Sequence, residues 1–237
     1  MPRHDPDGWC TAFHKLGAGW SLEAPTARPT PDDRLGSVAS GASGDALVAH
    51  VRRRAAVGAA TSNAHPHRSG PWVFAYSGSV HGLEFLRTRI SRKRIDELGG
   101  EADSELLFAY IMTHLDAHGL TDARATTRTD EVLAGVVDEL RGLAGFESFN
   151  FVLCNGEVLY ANRFGRSLHL LERTAYGNSL AMVVVASEAM TEEPWTQVAD
   201  GSLLRCDPRA RRRILFLRGA DPRAPSNDDY DELPFTD

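Results

Sequence analysis

The sequence predicts a mixed α/β domain of layered, largely antiparallel sheets. Three observations carry that expectation. Short strand patterns fill the first third of the chain, two helical periods follow, and strand patterns return from residue 149 onward. The later strands are joined by short, turn-rich segments, which favours hairpins over crossovers. The 237 residues are 42% hydrophobic, enough for one sizeable core. One domain is therefore expected over 1–218. An acidic tail rich in Pro and Asp, over 219–237, is expected to be disordered.

Each element follows from its local pattern. Asp5 to Phe13 reads as a turn running into a strand. Residues 23–45 are rich in Pro, Ser, Gly, Ala and Asp, an irregular solvated connection. Leu47 to Arg53 reads as a strand with Leu47, Ala49 and Val51 on one face. A loop over 58–71 closes at Ser69-Gly70-Pro71, and Trp72 to Tyr76 is a short apolar strand. Leu83 to Ile90 reads as helical. Glu105 to His118 sets Leu107, Ile111 and Leu115 on one stripe, and Asp130 to Leu143 does the same with Val132, Leu133, Val136, Val137 and Leu140. Thr127 with Asp130 forms a capping-box start for the latter. Phe149 to Cys154 and Val158 to Asn162 form a hairpin about Asn155-Gly156, a favoured two-residue turn. Leu168–Leu171, Met182–Ala186, Ser202–Cys206 and Ile214–Leu217 supply the remaining strands.

Composition excludes several functions. The formal net charge of -6 gives no global attraction to nucleic acid or anionic membrane. No apolar run approaches the roughly 20 residues of a membrane-spanning helix, and the polar N-terminus is no signal peptide. Neither nucleic acid nor membrane is expected as a partner, and a cytoplasmic location is expected. Cys10, Cys154 and Cys206 are odd in number and lack metal-like spacing, so they read as free thiols of a reducing compartment. His65 and His67 lack further spaced ligands, and no metal site is expected. The basic run Arg87, Arg89, Arg92, Lys93 and Arg94 has no interleaved aromatics and reads as a solvated helix face.

Four short segments carry more. They are Asn63-Ala64-His65-Pro66-His67, Phe74-Ala75-Tyr76-Ser77-Gly78, Ala102-Asp103-Ser104-Glu105-Leu106-Leu107-Phe108 and Val185-Ala186-Ser187-Glu188. In this order they resemble the class II glutamine amidotransferase domains, of the N-terminal-nucleophile (Ntn) hydrolase type. The likeness extends from His4 over nearly the whole chain and includes the hairpin Phe151–Arg163, Trp195 and Gly201-Ser202-Leu203-Leu204. It implies a four-layer αββα sandwich, hydrolysis of the side-chain amide of glutamine or of a γ-glutamyl compound, and no cofactor.

That reaction needs a nucleophile, a base, donors for a tetrahedral oxyanion, and groups that hold the amino-acid end. The resemblance implies Arg53 for the α-carboxylate, since it keeps the spacing to Ala55 and Gly58. Arg52, placed by His50-Val51, stays open for the same role. It implies Asp103 for the α-ammonium, where the plain reading is an N-cap for the helix near Glu105. His65 would shape the wall of the substrate site. Gly78 would point its N–H into the oxyanion hole, and Ser77 stands where the family has an asparagine donor. Losing one such donor costs on the order of a hundredfold in rate.

The family's nucleophile is a cysteine at the first residue of the mature chain, at the head of a strand upstream of an Asp-Gly-Trp motif. This sequence reads Met1-Pro2-Arg3-His4, and its Asp7-Gly8-Trp9 follows directly. Cys10 falls where the family usually has a glycine. Two readings stay open. In one, a glutaminase or amidotransferase carries its cysteine in a segment upstream of Met1. In the other, a non-catalytic relative keeps the fold to hold a small molecule or a protein partner. For the sequence as written, impaired catalysis is expected.

Overall fold

The computed structural model describes residues 8–23, 44–52, 66–100, 102–121, 124–143, 145–174, 181–207 and 211–216, the side chains of Gly8, Arg52 and 211–216 excepted. The centre is a six-stranded antiparallel sheet. Its strands are β4 (His67–Ser69), β5 (Trp72–Val80), β6 (Phe146–Cys154), β7 (Leu159–Asn162), β11 (Ser202–Asp207) and β12 (Arg211–Phe216), in the order β12-β11-β7-β6-β5-β4. Two three-stranded sheets accompany it. One joins β1 (Gly8–Lys15), β2 (Gly19–Glu23) and β3 (Ala46–Arg52) in the order β2-β1-β3. The other joins β8 (His169–Arg173), β9 (Met182–Ala186) and β10 (Thr196–Gln197) in the order β10-β8-β9.

Strand alternation on β5 sorts the layers. Trp72, Phe74, Tyr76 and Val80 face the helices, while Val73 and Ala75 face the small sheets. The helices are α1 (Glu84–Arg87), α2 (Arg92–Asp96), α3 (Asp103–Ala117) and α4 (Thr127–Arg141). All four pack on one face of the central sheet, and Phe108 of α3 stacks on Phe74 at 5.2 Å. On the other face, Ala12, Trp20 and Val48 meet Val73, Ala75 and Cys154, and Leu168, Leu170 and Val198 meet Ala161, Leu204 and Cys206. Val152 and Leu159 border both groups. The antiparallel α/β layering is as expected. The described residues account for three of the four expected layers, since none of their helices covers the outer face of the small sheets.

Several local expectations are corrected. On β3 the buried residue is Val48, whereas Leu47 and Val51 are 57% and 47% exposed. The set Leu47, Ala49 and Val51 is the more apolar one, since His50 and Arg52 fall in the set of Val48, yet it is the set that stays exposed. Pairing of Val48 with Ala12 of β1 chooses the buried face. β5 runs four residues past Tyr76, because β6 pairs with it as far as Val80. The hairpin after β6 has a four-residue loop, closed by the pair Cys154 and Leu159. Asn155 Oδ1 accepts from the amides of Glu157 (3.0 Å) and Val158 (2.8 Å), an Asx turn in place of the two-residue turn.

α3 buries more than one stripe, from Leu106 through Met112, because α1, α2 and α4 pack around it. The capping box of α4 is Thr126 with Thr129, one residue earlier than expected. Asp130 is freed from capping and lies buried, accepting from Tyr160 Oη at 2.7 Å and pairing with Arg205 at 3.3 Å. The basic run is not uniformly solvated. Arg94 is buried among Ser69, Glu97 and Asp116, and Arg89 pairs with Glu139. Among the described residues, no helix is long and apolar enough to cross a membrane.

Candidate functional site

The second half of β5 and the first turn of α3 meet at one cleft. Gly78 is the turning point. Opposite it on β6, Phe149 sends its N–H to Phe164 O (2.9 Å), and its carbonyl accepts from Asn162 Nδ2 (2.7 Å). Both groups therefore point away from β5. Gly78 and Phe149 thus form a non-hydrogen-bonded pair, and the Gly78 amide faces the far side of β5. β4, on that side, pairs only with Trp72 to Phe74 and stops short of it. The amide is thereby aimed at the sheet edge.

Tyr76 lies two residues before Gly78 on the same face, and its hydroxyl occupies the space that a Cβ at position 78 would need. Burial pushes the Tyr76 phenol up, the Asp103 carboxylate adds to this, and Arg166 opposes it. Asp103, Tyr76 and Gly78 are thus electrical and steric neighbours. Asp103 is the first residue of α3. The N-cap is Ala102, with no side-chain capping bond, so the capping reading of Asp103 is replaced. Its carboxylate opens instead into a cleft of about 460 Å³ with Val80, His81, Gly82, Arg87 and Leu106. Burial raises the Asp103 carboxyl above 3.8, and His81 pulls it back down.

Ser77 projects to the opposite face of β5, in line with Val73 and Ala75 and across from Asn150. The Asn150 amide is already committed. Its Nδ2 donates to the carbonyls of Arg166 and Ser167, both at 3.0 Å, and its Oδ1 accepts from Phe164 N at 2.8 Å. Arg53 and His65 lie outside the described residues, as do Asn63 and Ala64. Arg52 ends β3 opposite Gly8. His67, in the same motif as His65, shares a 2.8 Å hydrogen bond between Nε2 and Ser104 Oγ, which ties β4 to α3. No group of three metal-ligating side chains occurs among the described residues.

Cys10, Cys154 and Cys206 form no disulfide, and all three are buried. Burial pushes the Cys10 thiol up, and that of Cys154 up to about 11, so neither is poised as a thiolate. Sequence reasoning missed Tyr76 and His81 as site neighbours. The period of two from Gly78 back to Tyr76 was the available signal. His81 had none, because it is placed by the end of β5.

Two histidines on this half of the domain predict an acid response. Burial pushes His67 below 6.5 against Glu105. It does the same to His114, where Glu139 opposes it and His118 and Arg89 reinforce it. Each binds its proton more weakly when folded than when unfolded. Their contribution to stability is therefore full above 6.5 and is lost as pH falls from 6.5 through the folded values. Denaturation midpoints taken from about pH 8 to about pH 5 should decline, and the double variant His67→Gln/His114→Gln should flatten the decline. Equal slopes would refute the assignment.

The sequence pattern of the family described as "Glutamine amidotransferases class-II" matches residues 2–179. The chain belongs to that family. A Haemophilus influenzae protein named "Putative glutamine amidotransferase" is 27% identical over 133 residues, covering 54% of this chain and 42% of that protein. The chain thus matches less than half the length of this curated relative. Among solved structures, a glutamine aminotransferase class-II domain protein from Silicibacter pomeroyi has a TM-score of 0.64 at 20% identity, covering 90% of this chain and 92% of that one. Glutamine phosphoribosylpyrophosphate amidotransferase from B. subtilis has a TM-score of 0.57 at 17% identity, covering 89% and 43%. These likenesses establish the Ntn-hydrolase type of fold for this class II member.

Proposed function

We propose that the cleft where the end of β5 meets Asp103 holds the γ-glutamyl group of glutamine or a related amide, and that this chain binds the group with little or no hydrolysis. The observation that carries the reading is the edge-facing amide of Gly78, two residues before Val80, which lines the cleft together with Asp103. The amide carbonyl oxygen of the ligand would accept from Gly78 N–H. Its α-ammonium would pair with Asp103 at the α3 terminus, and its α-carboxylate with Arg53 or with Arg52, the last residue of β3. His65 would line the same wall.

Two features favour impaired catalysis. Ser77 offers a short hydroxyl where the family has an amide, and Asn150 across from it is spent on the 164–167 loop. Among the described residues, no thiol is exposed to attack a bound carbonyl.

Calorimetry with L-glutamine and a γ-glutamyl amide should show binding, weakened about tenfold or more by Asp103→Ala. An ammonia-release assay should show no turnover. Measurable turnover refutes the impairment, and unchanged affinity in Asp103→Ala refutes the site. Absence of binding to either compound would favour the alternative role of docking a protein partner.

A further inference from the structure

A second cavity lies on the other side of α3. It has a volume of about 370 Å³, opens to solvent, and is bounded by β4, α2 and α3. Residues 103 and 105 are about 200° apart around a helix, so Asp103 and Glu105 serve opposite sides of its first turn. The two cavities share no lining residue.

The polar groups of this cavity are unevenly satisfied. Arg94 is held by Asp116, Glu97 and Ser69. Arg68 donates from Nε to Gly70 O (3.0 Å) and from Nη1 to Trp20 O (2.9 Å). His67 is bonded to Ser104. Arg94 is therefore committed to protein acceptors, and Arg68 is so in part. Glu105 differs: its Oε2 is buried and accepts no hydrogen bond. A buried acceptor left without a donor is costly, the more so when it is charged. The rest of the wall is Leu98, Phe108, Ala109 and Met112, an apolar surface beside that carboxylate. Gly99 backs onto it, since a Cβ there would come within 3.2 Å of Glu105 Oε1.

We propose that this cavity is a binding site for a small aliphatic ammonium ion, with Glu105 as its counter-ion and the Leu98, Phe108 and Met112 surface as the seat of its alkyl chain. Arg94 is spent on Asp116, Glu97 and Ser69, and Arg68 is exposed and turned to the Gly70 and Trp20 carbonyls, so the unsatisfied buried charge of the cavity is that of Glu105. A positive head and an apolar stem match what the wall offers, and the volume, at the low end for ligand pockets, limits the ligand to a small one. The proposal is independent of the γ-glutamyl site.

The test uses the full chain with 13C-methyl-labelled methionine and n-butylammonium as probe. The Met112 methyl resonance should shift saturably with n-butylammonium and not with n-butanol. Glu105→Gln should weaken the apparent affinity about tenfold or more. Gly99→Ala, which crowds the carboxylate without removing it, should weaken it in the same direction. Asp103→Ala should leave it unchanged. No shift with butylammonium, an equal response to butanol, or full affinity in Glu105→Gln overturns the proposal, each leaving water as the partner of Oε2.

Discussion

Replacing Arg94 by alanine should lower the free energy of unfolding by about 3–5 kcal/mol, the usual cost of stripping one partner from a buried ion pair. The side chain is 6% exposed. Its fork grips one carboxylate twice, Nε to Asp116 Oδ2 at 2.6 Å and Nη2 to Asp116 Oδ1 at 2.9 Å. Nη1 adds Glu97 Oε2 at 2.7 Å and the Ser69 hydroxyl. One guanidinium therefore fastens α2 to α3 and to the end of β4. Burial alone would raise the Asp116 carboxyl, but the hydrogen bonds and charge of Arg94 outweigh it and hold Asp116 below 3.8. That contribution is present above 3.8 and is lost as pH falls through the lower folded value. The alanine variant should lose it, so its deficit against wild type should shrink in strong acid. Arg94→Lys keeps the charge but not the fork, and should fall between the two. Chemical denaturation settles the matter: a cost below about 1 kcal/mol for Arg94→Ala would place this network with ordinary surface pairs.

The burial of Arg94 marks one limit of reading the sequence. Its neighbours in the run, Arg92 and Lys93, are solvated as a charged run should be. Nothing in the local pattern separates position 94, because Asp116 approaches it from a helix more than twenty residues away. The same limit applies to β3, where the wholly apolar set Leu47, Ala49 and Val51 is exposed and Val48, paired with Ala12 of β1, is buried instead. Patterns with one strong period were legible. The helix cores of α3 and α4, the apolar start of β5 and the strands β6, β7, β8, β9 and β11 stand where their periods place them, whereas the two-residue β10 has no period to announce it. The site divides in the same way. Asp103 and Gly78 stand out in the sequence because their motifs are local. Their relation to one another does not, since it depends on which of the two hydrogen-bonding directions β5 presents to β6. A one-residue shift in that register would turn the Gly78 amide inward.

Gly78→Ala should therefore have an effect on both stability and binding. No positive φ requires glycine here, so the requirement is one of space. A Cβ at this position would lie 2.7 Å from the Tyr76 hydroxyl and 2.9 Å from Tyr76 Cε2, and closer still to the Ser148 carbonyl. Tyr76 is buried on the helix face and Ser148 is backbone of the neighbouring strand, so neither can simply swing away. Forcing β5 and β6 apart at this point should cost about 3 kcal/mol. It should also displace the Gly78 amide from the cleft and abolish γ-glutamyl binding, even at temperatures where the variant is folded. The double variant Tyr76→Phe/Gly78→Ala separates the two clashes. Removing the hydroxyl relieves the contact at 2.7 Å and leaves the carbonyl in place. Less than half of the lost stability should return, and binding should not. Full recovery on removal of the hydroxyl would mean that Tyr76, rather than the approach of β6, sets the need for glycine at position 78.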